Sequence, residues 1–115
     1  MEYKELEIKV LEWAKEKGIL DKATALTQLG KTQEELDETR EALIMLETTD
    51  GNADKQITRS CALAEVEDGI GDMLVTIIIL SKLVGVNPVR CLETAYNVIK
   101  SRTGKMENGV FVKDN

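Results

Sequence analysis

Two groups of carboxylates carry most of the chemistry open to this chain: Glu34-Glu35-x-x-Glu38 and Glu65-x-x-Asp68-x-x-x-Asp72. Each lies in a stretch that reads as a long helix, where residues three, four or seven apart share a face. Glu34, Glu38 and Glu41 form one such line, and Glu35 pairs with Glu38 at i, i+3. Glu65, Asp68 and Asp72 fall within about 60° of one another around a helix axis. Like charges stacked along one face cost stability unless something positive sits against them. Carboxylate oxygens suit Mg²⁺, which also takes phosphate oxygens, so the pattern points to metal-assisted phosphate chemistry. If the two helices pack side by side, Glu34, Glu35, Glu38, Glu65, Asp68 and Asp72 are the candidate metal ligands. Glu35 and Glu38 are the catalytic candidates, because a carboxylate not fully engaged with metal can orient or deprotonate an attacking water. Mn²⁺ is an acceptable substitute, whereas zinc is out of place in an all-oxygen set. The plainer alternative is two solvated helix faces, with Lys31 and Arg40 pairing locally.

A second set of residues suits an anionic ligand. Asn97, Lys100, Arg102 and Lys105 cluster at the end of the last helical stretch. They fit either terminal phosphates, with Arg offering a two-pronged donor, or a simple capping role at a negative helix end. Gln28 and Lys31, one turn apart and just ahead of the first acidic group, are candidate ligand contacts or exposed helix formers. The aromatic residues are Tyr3, Trp13, Tyr96 and Phe111. Trp13 reads first as a core residue, with base stacking as the alternative.

The elements that must position these groups are helical. The 115 residues make one domain with a modest core, and the chain has one Pro and eight Gly, which fall mainly at apparent turns. Leu6, Val10, Trp13 and Ala14 give an amphipathic helix over 3–17, closed by Gly18, with Asp21 as cap of the next. A second helix over 22–47 carries Leu29, Leu36 and Leu43 every seven residues, widened by Leu26 and Leu46; the carboxylates lie off that seam. Thr48-Thr49-Asp50-Gly51-Asn52 is the clearest loop. A third helix over 54–84 holds the second acidic group and the apolar run Met73 to Leu80, which faces every direction. One small subunit cannot cover such a run, so a core shared between subunits is expected. Asn87 caps and Pro88 opens a fourth helix over 88–102, with Leu92, Ala95, Tyr96 and Ile99 on its packing side. Val110-Phe111-Val112 is expected as an extended tail or a minimal hairpin strand. The sum is an all-α fold of two antiparallel helical pairs.

Composition narrows the partners. With 21 acidic against 15 basic residues and a formal charge of −6, a nucleic acid polymer is not an expected partner. The chain has no His, which removes imidazole acid–base chemistry and the commonest zinc ligand. Cys61 and Cys91 have no CxxC spacing and read as reduced packing residues. The N-terminal residues lack a signal-peptide stretch and no apolar run is long enough for a bilayer, so a cytoplasmic location and no membrane partner are expected.

Taken together, these residues resemble the MazG-like, all-α nucleoside triphosphate pyrophosphohydrolases. The family pattern of Glu-x-x-Glu, a spacer and Glu-x-x-Asp is matched by Glu35-Leu36-Asp37-Glu38 and Glu65-Val66-Glu67-Asp68, separated by the 26 residues from Thr39 to Ala64. Gln28-x-x-Lys31-x-x-Glu34 extends the match upstream, Gly71-Asp72-Met73-Leu74 continues it, and Asn97-Val98-Ile99-Lys100-Ser101-Arg102 with Lys105 completes it. The likeness covers residues 25 to 112 and is closest to the compact phage-type or stand-alone members. One departure stands out: where many members carry Glu-Leu-Gly-Asp, this chain has Gly69-Ile70-Gly71-Asp72. The resemblance implies Mg²⁺-dependent cleavage of a (deoxy)nucleoside triphosphate between the α and β phosphates by a helical homodimer or homotetramer. The competing expectations are a non-catalytic helical oligomerisation or regulatory module, and a relative that binds nucleotide without turnover.

Overall fold

The computed structural model describes residues 1–48 and 53–115, and the side chains of all of these except 53–57. The fold is all-α with a small C-terminal antiparallel hairpin: α1 (Tyr3–Glu16), α2 (Ile19–Lys22), α3 (Ala25–Thr48), α4 (Ala53–Val84), α5 (Pro88–Ile99), β1 (Gly104–Glu107) and β2 (Val110–Lys113). The loop expected at 48–52 lies, beyond Thr48, outside the described residues. The chain divides into two compact units, Met1–Gly85 and Val86–Asn115.

The first unit is built on the α3–α4 pair. Gln28 meets Thr76, Thr39 meets Gly69, and Arg59 donates to the Leu46 carbonyl at 3.1 Å, so the two helices run antiparallel. The face of α3 turned towards α4 is polar and small rather than leucine-rich. Gln28, Thr39 and Ala42 are buried, while Leu29, Leu36 and Leu43 are 52%, 49% and 41% exposed. The heptad leucines therefore form a second face that this chain leaves uncovered, contrary to their expected role as the packing seam. On α4 the inner residues are Ala62, Val66, Ile78 and Ile79, and a parallel outer stripe of Leu63, Ile70, Leu74 and Ile77 is exposed.

Close approach explains the small residues. Gly69 is buried against Thr39: an added Cβ would overlap Thr39 Oγ1 and stand 3.0 Å from its Cβ. Thr39 itself is held by donating its hydroxyl to the Glu35 carbonyl at 2.7 Å.

The helix expected over 22–47 begins instead at Ala25, after a one-turn α2 that contains Asp21. Thr24, not Asp21, caps α3: its Oγ1 accepts from Thr27 N at 3.1 Å, and its own N–H donates to Thr27 Oγ1 at 2.9 Å. This reciprocal arrangement is a capping box with Thr at the far position. Gly18, at φ 79, makes the left-handed step out of α1 as expected. The buried face of α1 is Glu7 and Ala14, whereas Leu6 and Trp13 are 42% and 47% exposed. Trp13 is thus no core residue in this chain. Glu7 lies beside Tyr3, whose phenol is pushed up to about 12, first by burial and then by the neighbouring carboxylate.

In the second unit, Asn87 Oδ1 accepts from Val89 N at 2.8 Å with Pro88 opening α5, as the sequence suggested. The helix stops at Ile99 rather than 102. The hairpin pairs Gly104 with Lys113 through Glu107 with Val110. Asn108 and Gly109, at φ 51 and 82, supply the two positive φ angles that a tight two-residue hairpin turn requires.

Candidate functional site

Antiparallel packing of α3 on α4 places acidic turns of both helices at one level. Glu38, Glu41, Glu65, Asp68 and Asp72 line a single cavity of about 430 Å³, floored by Thr39, Ala42 and Gly69. The floor residues are small because any bulk there would hold the helices apart. Four of the carboxylates read from the sequence are therefore gathered; Glu41 joins them as a residue whose i+3 spacing from Glu38 had marked its face but not its role.

Glu35 stands at the edge of this group, half-buried. Its carboxyl is held above its ordinary value of 4.5, first by desolvation, then by the negative charge of Glu38 and of Asp72 across the helix interface; Lys31 opposes the shift. The charge coupling of an α3 glutamate to an α4 aspartate is the electrostatic signature of the two acidic rows meeting. Glu34 does not line the cavity: it turns to Lys31, 2.7 Å away, with both side chains largely in solvent. Burial at such an exposed pair is too slight for it to count as a stabilising contact.

Among the described residues, no three Asp, Glu or Cys side chains are drawn together at metal-ligand spacing. The donor set fits a hard divalent cation on chemical grounds: it is all oxygen, multiply anionic, and spread over two rigid helices.

A second cavity, of about 720 Å³, adjoins the first through Asp72, which lines both. Its walls are of two kinds. Trp13, Ile19, Val75 and Ile79 supply an apolar surface, and Lys17, Lys22 and Lys31 supply cations, with Gln28, Thr27, Thr76 and Glu35 between them. Gln28 and Lys31, both marked in the sequence, are here. Trp13, Lys17 and Lys22 come from α1, α2 and the turn joining them. Sequence spacing did not reveal this, since it depends on α1 and α2 folding back onto α4. Gln28 is 4% exposed, so it is an inner wall of the groove rather than an exposed helix former.

The remaining basic candidates belong to the second unit. Asn97 lies in α5, Lys100 is its C-cap, and Arg102 N donates to the Ile99 carbonyl at 3.0 Å. Lys105 is on β1 and pairs with Glu107 at 3.3 Å. All four side chains are exposed. No single helix among the described residues is long and apolar enough to cross a membrane.

Comparison with family models, with curated proteins and with solved structures finds no match to this chain.

Proposed function

We propose that this protein is a Mg²⁺-dependent nucleoside triphosphate pyrophosphohydrolase of MazG-like type, working as a homodimer or homotetramer. The observation that carries the reading is the five-carboxylate cavity between α3 and α4, opening beside a groove with one aromatic wall and three lysines. A triphosphate nucleotide has the matching halves: a flat, largely apolar ring and a polyanion that needs cations.

Glu38, Asp68 and Asp72 are the residues that would hold the ion, with Glu65 and Glu41 beside them. When bound, Mg²⁺ neutralises phosphate oxygens and makes a coordinated water more acidic. Glu35 retains proton affinity because it is desolvated and faces two other carboxylates. It therefore suits the role of base, taking a proton from water as the water oxygen bonds to phosphorus. The bond between the α-phosphorus and the bridging oxygen breaks, and the products are monophosphate and pyrophosphate. Lys31 exchanges its solvent-exposed partner Glu34 for a phosphate oxygen at little cost, since an exposed pair contributes about 0–1 kcal/mol. Lys17 and Lys22 add to the same field. Asn97, Lys100, Arg102 and Lys105, in the second unit, are proposed as anion contacts on the family resemblance alone.

The uncovered stripes on α3 and α4 support self-association. Leu29, Leu36 and Leu43 on one helix and Leu63, Ile70 and Leu74 on the other are about half exposed. Contiguous apolar stripes of this kind mark association surfaces. They equally favour the second reading, a helical oligomerisation module without catalysis. One experiment separates the two. Purified protein is incubated with individual NTPs and dNTPs plus Mg²⁺, and the products are resolved. Monophosphate with pyrophosphate, abolished in Glu38→Gln and Asp68→Asn of intact fold, is the expected result. Full activity in both variants, or no turnover of any nucleotide, refutes the proposed reaction.

A further inference from the structure

Gln28 is 96% removed from solvent by its 4% exposure, yet it lines the Trp13 groove. Its Nε2 donates to the Thr76 backbone carbonyl at 3.2 Å. That contact settles which way the amide faces. A carbonyl oxygen only accepts, so the nitrogen must be the atom turned to Thr76 and the oxygen the one turned away. No donor among the described residues reaches Gln28 Oε1. The nearby hydroxyls are engaged elsewhere: Thr32 donates to Thr76 Oγ1 at 2.9 Å, Thr76 to the Met73 carbonyl at 2.7 Å, and Thr27 to the Thr24 carbonyl at 3.0 Å. Among the described residues no fully buried side-chain polar atom lacks a partner, so the unpartnered amide oxygen keeps solvent access, and the cavity that Gln28 lines is where it has it.

The groove therefore presents a fixed acceptor, beside an indole ring and the aliphatic side chains of Val75 and Ile79. Its orientation is set by the buried bond to Thr76: turned over, the amide would set its oxygen against the Thr76 carbonyl oxygen, two acceptors in contact. We infer that Gln28 selects the base of the nucleotide, accepting a hydrogen bond from the exocyclic amino group of cytosine or adenine. This rests on the nucleotide reading given above and adds the base class to it. Uracil and hypoxanthine place a carbonyl oxygen where the amino group stands, and two acceptors then face each other in the groove. The neighbouring lysines cannot substitute for this discrimination, because a flexible ammonium follows a carbonyl wherever it lies.

The test uses binding rather than turnover. Trp13 is the only tryptophan in the chain and lies in the groove, so its fluorescence reports occupancy. Titrations with CMP against UMP, and AMP against IMP, are made in the same Mg²⁺ buffer. The amino partner of each pair is expected to bind about tenfold tighter, the size of one well-placed hydrogen bond. Gln28→Met, close in length and flexible enough to fill the space, should bring both ratios to about one while its circular dichroism stays that of the wild type. Wild-type ratios at or below one overturn the inference, whether or not the variant folds. A folded Gln28→Met that keeps the preference overturns the role of Gln28, and absence of quenching by all four nucleotides overturns the groove as the base site. Hydrolysis with no base preference would leave the proposed reaction standing and remove only this inference. Selective binding without hydrolysis would do the reverse.

Discussion

Replacing Gly69 by alanine should destabilise the protein, although alanine is the better helix former. In an open helix interior the exchange gains about 1 kcal/mol. At position 69 the new Cβ overlaps Thr39 Oγ1 and stands at 3.0 and 3.3 Å from Thr39 Cβ and Cγ2. Thr39 cannot easily yield. It is 4% exposed, and its hydroxyl is tied to the Glu35 carbonyl at 2.7 Å. Rotating it costs that bond, about 1 kcal/mol, and separating α3 from α4 costs the packing beneath the acidic cavity; overpacking typically costs about 1–3 kcal/mol. The clash should win, leaving a net loss of about 1–2 kcal/mol and a Tm lower by about 4–8 °C. Gly71, two residues on, has nothing within 4 Å of an added Cβ, so Gly71→Ala should stabilise by about 0.5–1 kcal/mol. Thermal and urea unfolding of both variants give the comparison, and the Thr39→Ala background isolates the cause. There, Gly69→Ala should cost little or become favourable. A Gly69→Ala protein as stable as wild type, or equally destabilised with and without Thr39, would refute the account. The same geometry predicts that glutamate at position 69, where the Glu-Leu-Gly-Asp pattern of the resembled family would place it, is not tolerated without a smaller residue at 39.

Glu35 makes the metal-free protein pH-sensitive. Its folded-state pKa is raised by burial and by Glu38 and Asp72, so between the unfolded and folded pKa values the folded chain holds a proton that the unfolded chain has lost. Stability from this group is complete below the ordinary carboxyl range and is lost as pH rises through the raised pKa. As pH rises above the ordinary carboxyl range, Tm of the wild type should lose ground relative to Glu35→Gln, and saturating Mg²⁺ should restore it most at the higher pH. Removing the α5 cap with Asn87→Ala should cost about 1 kcal/mol, read as lost helicity or a lower Tm, because Val89 N and Arg90 N lose their acceptor. Leu36→Asp, on the uncovered face of α3, should leave helicity unchanged and lower the mass seen by light scattering; an unaltered mass would remove that face from the association surface.

The periodicity of charge was the most legible part of this sequence. Carboxylates at i, i+3, i+4 and i+7 can occupy only one side of a helix, so Glu35 and Glu38 on α3, and Glu65, Asp68 and Asp72 on α4, are readable as two rows. That the rows meet required only antiparallel neighbours. The apolar pattern misled for a physical reason: Leu29, Leu36 and Leu43 do form a seam, but a heptad does not say whether its partner lies in the same chain. The α3–α4 contact is made instead by Gln28, Thr39, Ala42, Ala62 and Gly69, whose small or polar side chains carry a weak hydrophobic signal. Thr24 was hidden by Asp21, an equally good capping residue three positions earlier. Trp13, Lys17 and Lys22 were beyond reach because their place depends on the Gly18 turn and on α1 returning to α4. Glu34 looks equivalent to Glu38 by spacing; what distinguishes them is that Glu38 lines the acidic cavity while Glu34 turns to Lys31.

Asp72 belongs to both cavities, and this makes two occupancies mutually dependent. Any cation that quenches its charge from the acidic side changes the field felt by a ring lying against Trp13. By reciprocity, a molecule seated on the aromatic side alters cation affinity by the same factor. A bare nucleoside, with no phosphate to bridge the two, should still shift the magnesium titration midpoint.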